Sequence, residues 1–212
     1  MPFRITLIRK SLPVLLSASL LMLMAFSIRP ISPVPARITA PSVKYSLDKS
    51  KSSVSFAVTH MVMSEAEGNF KVFGGSLEST KPDYSDGKVE FSIEVKSVNT
   101  ANENRDKHLR GADFFDAAKF PLMTFVSTSF THLDGDKYKL AGNLTIKDVS
   151  KPVTFDVTYA GISADQKTAV FDARTTLDRF DYGLKWSKMT EAGGLVVSRD
   201  VRVTVKAAFR VK

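Results

Sequence analysis

Apolar and polar residues alternate with a period of two along most of the chain after residue 43, in short segments separated by turn signals. The clearest of these segments is Val89–Val95, in which apolar residues interleave with Glu and Ser. Successive side chains of a β-strand point to opposite faces, so this pattern predicts a strand with one buried and one solvated face. About eight or nine such segments follow one another. Asp134-Gly135, between two of them, is typical of a hairpin turn.

Strands of this kind leave unpaired edges unless the sheet is covered or closed. Consecutive antiparallel strands with one apolar face are best satisfied by a barrel, in which no edge remains. We therefore predict an all-β fold, an antiparallel up-and-down β-barrel of about eight strands. A barrel of that size encloses enough room for side chains alone or for one small ligand.

The stretch Thr100–Pro121 breaks the alternation and is predicted to be a short helical insertion. Thr100 and Glu103 fit a capping box, in which the two side chains satisfy backbone N–H groups at the helix start. Gly111 is the residue type expected just after a helix ends. The first turns carry mostly polar side chains, so we expect ion pairs with the barrel and the phenylalanines that follow to hold this helix in place.

The first 36 residues are predicted to be a signal peptide, or an N-terminal anchor, with the start of a linker. Three basic residues precede an apolar run at residues 12–28, which is the arrangement of a secretory signal. Residues 37–43 continue a proline-containing linker. Residues 44–212 are predicted to form the barrel domain. The expected location is the periplasm, or another compartment reached by export across the cytoplasmic membrane.

Charge and cysteine content limit the classes of partner. The formal net charge of the chain is +8, and it falls to +4 without residues 1–36, which carry four basic residues and no acidic one. A charge of that size does not favour nucleic-acid binding. It is compatible with transient contact to an anionic membrane surface. The chain has no cysteine, so an exported domain would depend on its core and not on disulfides.

Several motifs occur in a fixed order along the chain. The longest is N-E-x-R-D-x-H-L-R-x-A-D-F-F-D at residues 102–116. The shorter ones are Ser55–Met61, Leu144–Ile146 with Lys151–Val153, and Phe180–Leu184. Together they resemble the signature of the YceI-like family, the bacterial polyisoprenoid-binding proteins with a lipocalin-like barrel. The departures are mild: Gly111 stands where the family often has Ser, and Tyr182 where Phe is common.

This resemblance implies a lipocalin-like barrel that holds a long isoprenoid, such as a quinone or a polyprenyl alcohol or phosphate, for carriage or storage. The lipid would be the ligand, and no other cofactor is expected. The apolar strand faces supply the lumen candidates, which are Val54, Phe56, Val58, Phe91, Ile93, Val95, Phe125, Leu144, Phe155, Phe171 and Val203. The same side chains could instead fill the barrel completely, as in a structural or stress-response envelope protein.

Four further residues, His60, Arg105, Arg110 and Trp186, are candidates for the mouth of the barrel and for contact with a ligand head group. Arginine suits phosphate groups. The alternative is that the charges of the helix, including an Asp106–Arg110 pair one turn apart, bind it to the barrel rim. His60 and Trp186 are equally well explained as packing residues.

No catalytic constellation is recognised, so the protein is predicted not to be an enzyme. His60, His108 and His132 are not at metal-ligand spacing, and no metal site is expected. No nucleophile elbow, P-loop or dinucleotide-binding fingerprint occurs. An enzyme that acts on a quinone is the less favoured alternative. The sequence leaves a homodimer open.

Overall fold

The computed structural model of the chain describes residues 41–60, 64–164, 166–186 and 197–212. Within these ranges it contains eleven strand segments and one α-helix. The strands are β1 (Val43–Leu47), β2 (Ser53–His60), β3 (Ser64–Phe70), β4 (Phe73–Ser79), β5 (Lys88–Glu94), β6 (Val98–Asn99), β7 (Leu122–Asp134), β8 (Lys137–Ile146), β9 (Val149–Ile162), β10 (Thr168–Asp178) and β11 (Val197–Val211), and the helix α1 is Glu103–Arg110. The predicted signal peptide or anchor at residues 1–36 lies outside the described residues, as does most of the linker, so the domain boundaries stay predictions.

All described strands belong to one antiparallel sheet that closes on itself. Neighbouring strands follow the order β1-β4-β5-β7-β8-β9-β10-β11-β2-β3-β6, and β1 also pairs with β11. The long β11 makes this closure, because it pairs with β10 on one side and with both β1 and β2 on the other.

Three pairs of segments act as bent strands, so the described segments occupy eight positions around the barrel. β1 and β2 are separated by the 3₁₀ turn Lys49–Lys51. Of the next two segments, β3 pairs with β2 and β4 pairs with β1. β5 and β6 are separated by the 3₁₀ turn Val95–Ser97 and pair with β4 and β3. The predicted antiparallel barrel of about eight strands with a short helical insertion is confirmed.

The predicted capping box of Thr100 and Glu103 at the start of α1 is wrong. Asn102 is the N-cap residue, and its side-chain oxygen accepts a hydrogen bond from the N–H of Arg105 at 3.0 Å. Thr100 is not available for capping, because its N–H and its hydroxyl both donate to the buried carboxylate of Asp106. Gly111 does follow the helix, in extended backbone. Among the described residues, no helix has the length and apolar character needed to span a bilayer.

The two ends of the barrel are closed by different groups. At the tyrosine end, Tyr84 from the turn between β4 and β5 is buried and packs edge-on against Phe171, with ring centroids 5.4 Å apart. Tyr84 holds a left-handed backbone conformation with φ of +59°, which a packed environment must stabilise. At the helix end, α1 and the segment 179–186 cover the opening.

Candidate functional site

An apolar cavity of about 480 Å³ lies inside the barrel at its helix end. Inward-facing side chains of the strands form its wall, and α1 with the segment 179–186 forms its cap. The predicted lumen residues that line it are Phe56, Val58, Ile93, Leu144 and Val203, and the predicted mouth residues that line it are Arg105 and Trp186. Its volume falls in the range of pockets that enclose small organic ligands.

The tyrosine end of the interior is packed instead of hollow. A void of only about 80 Å³ remains there, and it is lined by four predicted lumen residues, Phe91, Phe125, Phe155 and Phe171. Phe125 and Phe155 meet edge-on with ring centroids 5.4 Å apart, which is a favourable aromatic geometry. These four residues therefore do not line the main cavity, because their rings fill the space between the strands.

Two predicted lumen residues line neither space. Val54 is 2% exposed and packs within the core between its cross-strand partners Phe70 and Val205. Val95 does not continue the alternation of β5, because it begins the 3₁₀ turn Val95–Ser97. The backbone of His60 pairs with Val197 and Ser64, and its side chain lies outside the described part of the structure.

Glycines on the inner face decide where two of the phenylalanine rings lie. A Cβ atom at position 68 would lie 2.4 Å from Cζ of Phe56, its direct cross-strand partner. A Cβ atom at position 142 would lie 2.5 Å from Cζ of Phe125. Both rings therefore lie against the barrel wall, over the glycines. For Phe56, this position leaves the centre of the cavity open.

The cap is an aromatic cluster that joins α1 to the segment 179–186. The ring centroid of His108 lies 4.7 Å from Trp186 and 5.3 Å from Phe114, in edge-on geometry in both cases. Phe114 and Trp186 are 5.6 Å apart. All three side chains line the cavity, so Trp186 lies in its cap. The pair Gly193-Gly194, which the sequence offers as a candidate entrance beside Trp186, lies outside the described residues.

The two candidate arginines of α1 bind the backbone of the barrel rim. Arg105 donates to the hydroxyl and the carbonyl oxygen of Thr100, at 2.8 and 2.9 Å. Arg110 donates to the carbonyl oxygens of Lys96 and Val98, both at 2.9 Å. Arg105 also lines the cavity, whereas Arg110 does not. These contacts favour the interpretation that the helix charges attach α1 to the barrel.

A third arginine, which sequence reasoning missed, lines the cavity from the 3₁₀ turn Arg179–Tyr182. The side chain of Arg179 is almost completely buried, and it donates to the carbonyl oxygens of Leu184, Trp186, Val197 and Ser198. Burial lowers the pKa of its guanidinium from the usual value. No carboxylate of the described residues forms an ion pair with Arg179; the neighbouring Asp178 pairs with Arg199.

Tyr182, in the same turn, also lines the cavity and was not predicted as a site residue. Its side chain is 3% exposed, and its hydroxyl is a buried polar atom without a hydrogen-bond partner among the described residues. Burial and the charge of Asp181 raise the pKa of this hydroxyl to about 12. Tyr182 is therefore a neutral hydrogen-bond donor at ordinary pH.

The signals for these missed residues are weak in the sequence. His108 and Phe114 belong to the longest motif, but neither follows the strand alternation that identified the lumen. Arg179 stands beside acidic residues at the end of a strand, where an arginine is usually exposed. Its burial depends on four carbonyl groups brought together by the fold.

A second concave surface is mainly polar and lies outside the barrel. It is an open groove whose lining includes Ser55, Glu65, Arg174 and Thr204, and Glu65 pairs with Arg202 there. In the described ranges, no three His, Cys, Asp or Glu side chains lie close enough together to hold a metal ion. The apolar interior cavity is therefore the better candidate for a functional site.

Comparison with solved structures finds the same fold. Burkholderia cenocepacia BcnA is 28% identical, with a TM-score of 0.68 over 76% of this chain and 98% of that chain. A Campylobacter jejuni YceI protein is 30% identical, with a TM-score of 0.62 over 73% and 89%. A structure described as a polyisoprenoid binding domain from Saccharophagus degradans, implicated in plant cell wall breakdown, is 19% identical, with a TM-score of 0.62 over 80% and 99%.

Sequence comparison agrees with the fold. A UPF0312 protein of Staphylococcus aureus is 33% identical over 172 residues, which cover 79% of this chain and 97% of that protein. The profile of the YceI-like domain matches residues 45–209, which include every described strand of the barrel in whole or in part. The chain therefore belongs to the YceI-like family.

Proposed function

We propose that this protein is an exported lipid-binding protein that holds the tail of an isoprenoid in the cavity at the helix end of the barrel. The observation that carries the proposal is the cavity of about 480 Å³ inside a closed barrel, with an almost wholly apolar wall. Each methylene group transferred from water into such a site contributes about 0.8 kcal/mol. A branched hydrocarbon tail would therefore bind without polar contacts along its length.

The extent of the cavity limits how the tail is held. Because aromatic rings fill the tyrosine end, only the part of a long polyprenyl chain nearest the helix end is enclosed. The remainder would extend past the cap. The Saccharophagus degradans domain, whose fold matches and whose description names polyisoprenoid binding, supports this ligand class.

Carriage or storage is proposed in preference to catalysis. Among the described residues that line the cavity, His108 is the histidine, and its ring is engaged by Trp186 and Phe114. No serine or cysteine lines the cavity beside it in the described ranges, so a serine or cysteine nucleophile with this histidine as its base is not formed there. The proposed location is the periplasm, or another compartment reached by export, and the proposed membrane contact is transient.

Filling the cavity tests this proposal. Val58 lines the cavity, and in Val58→Trp the larger side chain is expected to occupy the space of the ligand. We expect the variant to stay folded and to lose at least tenfold in affinity for farnesol, measured by displacement of N-phenyl-1-naphthylamine fluorescence.

The matched control is Val126→Trp, because Val126 is 51% exposed on β7 and does not line the cavity. It should bind farnesol with the affinity of the wild type. Equal affinity in both variants would show that the interior cavity is not the binding site.

A further inference from the structure

The wall of the cavity has a gap in its strand ladder where α1 lies beside β3. β3 has seven residues, but its pairing with β6 covers only Asn69 and Phe70, which is the shortest ladder in the described part of the barrel. On that side, residues 65–68 have no strand partner among the described residues, and side chains of α1 complete the wall. We call this junction, between residues 66–68 of β3 and residues 104–108 of α1, the seam.

The seam separates the cavity from the polar groove outside the barrel. Glu67 of β3 and Arg105 of α1 line both the cavity and the groove. Both side chains, and Asn104 beside them, are exposed to solvent although they line the wall of an interior space. Side chains alone therefore divide the cavity from solvent at this point, since no backbone hydrogen bond joins the two elements in the described ranges.

The polar contacts of α1 leave the seam free. The hydrogen bonds that attach the helix to the barrel go to Thr100, Lys96 and Val98, within one segment of the chain. Among the described residues, no hydrogen bond or ion pair joins α1 to residues 65–70 of β3. Ala101, between that segment and the helix, has φ of +56°, a left-handed conformation that is costly for a residue with a side chain. This segment and Ala101 have the properties of a hinge about which α1 can turn.

The other described boundaries of the cavity are closed more firmly. Longer ladders join the other neighbouring strands, and aromatic rings fill the tyrosine end. The segment 179–186 is attached to β11 by Arg179, which donates to the carbonyl oxygens of Val197 and Ser198. Parting strands or displacing this segment would therefore break several hydrogen bonds.

The contacts of α1 across the cavity are apolar. The ring of His108 lies edge-on to Trp186, and the half-buried Leu109 packs against the core. Elements with few buried apolar contacts open at a lower cost in free energy than strands within a ladder. The seam is therefore the part of the described wall that opens most easily.

We propose that the seam is a side entrance to the cavity. α1 turns about its hinge, the isoprenoid tail passes between α1 and β3, and the helix closes behind it. This inference rests on the proposed function and adds the route that the ligand takes. A barrier on the way in is also a barrier on the way out, so the seam sets both rates of exchange and leaves the affinity to the apolar wall.

Joining the two sides of the seam tests the proposal. The chain has no cysteine, so Glu67→Cys with Asn104→Cys places the only two thiols at the seam, and a reducible bis-thiosulfonate reagent links them. The purified full-length chain is freed of bound lipid, and binding and release of N-phenyl-1-naphthylamine are followed by stopped-flow fluorescence. We expect linkage to lower both rates at least about tenfold, to leave the affinity of the same variant unchanged, and to be reversed by reduction.

The matched control is Lys96→Cys with Lys107→Cys, which links α1 to the segment that already binds it. Both lysines are exposed and neither lines the cavity, so linkage of this pair should leave both rates unchanged. Three results would overturn the side entrance and leave the lipid-binding barrel intact: unchanged rates in the linked seam variant, equal slowing in both variants, or a seam pair that does not link while the control pair does. If the wild type binds neither this probe nor farnesol, the proposed function fails together with the side entrance.

His108→Ala supplies a second readout without a cross-link. Removal of the ring contact with Trp186 should favour the open helix and raise the association rate constant about 2- to 10-fold. A ring that only lines the wall would change the release rate alone. The control is His132→Ala at the tyrosine end, because its ring lies at the same centroid distance, 4.7 Å, from Tyr138 and does not line the cavity. An association rate constant that is unchanged in His108→Ala, or raised equally in the control, would overturn the proposal.

Discussion

At the scale of single residues, the shape of the interior depends on which side chains are absent. The cavity exists at the helix end because Gly68 leaves room for the ring of Phe56 against the wall. The tyrosine end uses the same device at Gly142, but there the rings of Phe125 and Phe155 meet and close the space. The number of phenylalanines is therefore a poor guide to whether a barrel is hollow.

Adding one methyl group at each glycine should have different consequences. In Gly68→Ala the closest atom is the far end of the Phe56 ring, which can turn into the open cavity, and the methyl group of Thr100 follows at 2.8 Å. In Gly142→Ala the new Cβ would lie 2.5 Å from the backbone carbonyl oxygen of Val126, which cannot move freely. We expect Gly142→Ala to lose about 1–3 kcal/mol of unfolding free energy in urea.

Gly68→Ala should lose less stability than Gly142→Ala and should bind farnesol more weakly, because the displaced ring of Phe56 occupies part of the cavity. Urea unfolding and probe displacement measure the two effects separately. If Gly68→Ala loses as much stability as Gly142→Ala while its affinity for farnesol is unchanged, the ring does not move as described.

Asp86 gives the tyrosine end a dependence on pH. Partial burial opposes its ionisation, but hydrogen bonds from Ser79, Thr80 and Lys81 outweigh burial and hold the pKa of its carboxyl well below the usual range. A group whose pKa is depressed by folding stabilises the protein above its unfolded value, near 3.9, and that contribution disappears as pH falls through the folded value.

We therefore expect Asp86→Asn to be less stable than the wild type at pH 7, with the difference shrinking between about pH 4 and pH 2. Urea unfolding at several pH values measures it. A difference between the two proteins that stays constant over this range would show that the ionised carboxylate contributes nothing. Because Asp86 lies in the same turn as Tyr84, its protonation should loosen the closure of this end.

At the scale of elements, α1 is held by polar contacts with the strands beneath it. The buried residue of α1 is Asp106, whose carboxylate accepts two hydrogen bonds from Thr100. Arg105 and Arg110 extend these bonds to the carbonyl oxygens of residues 96–100. The helix therefore depends on the rim for its order, which agrees with the lack of apolar residues in its first turns.

Arg110→Ala distinguishes the two roles considered for this residue. Because Arg110 bonds Lys96 and Val98 and does not line the cavity, the variant should lose about 1 kcal/mol of stability and bind farnesyl phosphate normally. Lys107→Ala is the control, since Lys107 is exposed on the same helix. Weaker binding of farnesyl phosphate by Arg110→Ala, with unchanged stability, would assign Arg110 to the head group instead.

How much of this could be predicted from sequence differs between the wall and the cap of the cavity. The period-two alternation predicted the strands and the inward faces, because it follows directly from strand geometry. It failed at Val95, where a 3₁₀ turn interrupts the strand. It also carried no information about Arg179 and Tyr182, whose importance depends on carbonyl groups and on a void that form only when distant segments meet.

At the scale of the whole molecule, one half of the barrel interior is hollow and the other half is packed with side chains. The interior at the helix end is hollow and apolar, whereas the interior at the tyrosine end is closed by Tyr84 and by stacked and edge-on rings. In a structural barrel filled by side chains, both halves of the interior would be packed. In a barrel with a continuous tunnel, both halves of the interior would be hollow. The observed division suits a ligand that is enclosed near one end only.

The most direct test is mass spectrometry of an organic extract from the full-length protein, purified under native conditions from its natural host. The central claim predicts an amphiphile with an isoprenoid tail, close to one molecule per barrel, that is lost from Val58→Trp and retained in Val126→Trp. A folded wild-type protein that yields no such compound, or that yields the same amount from both variants, would contradict it.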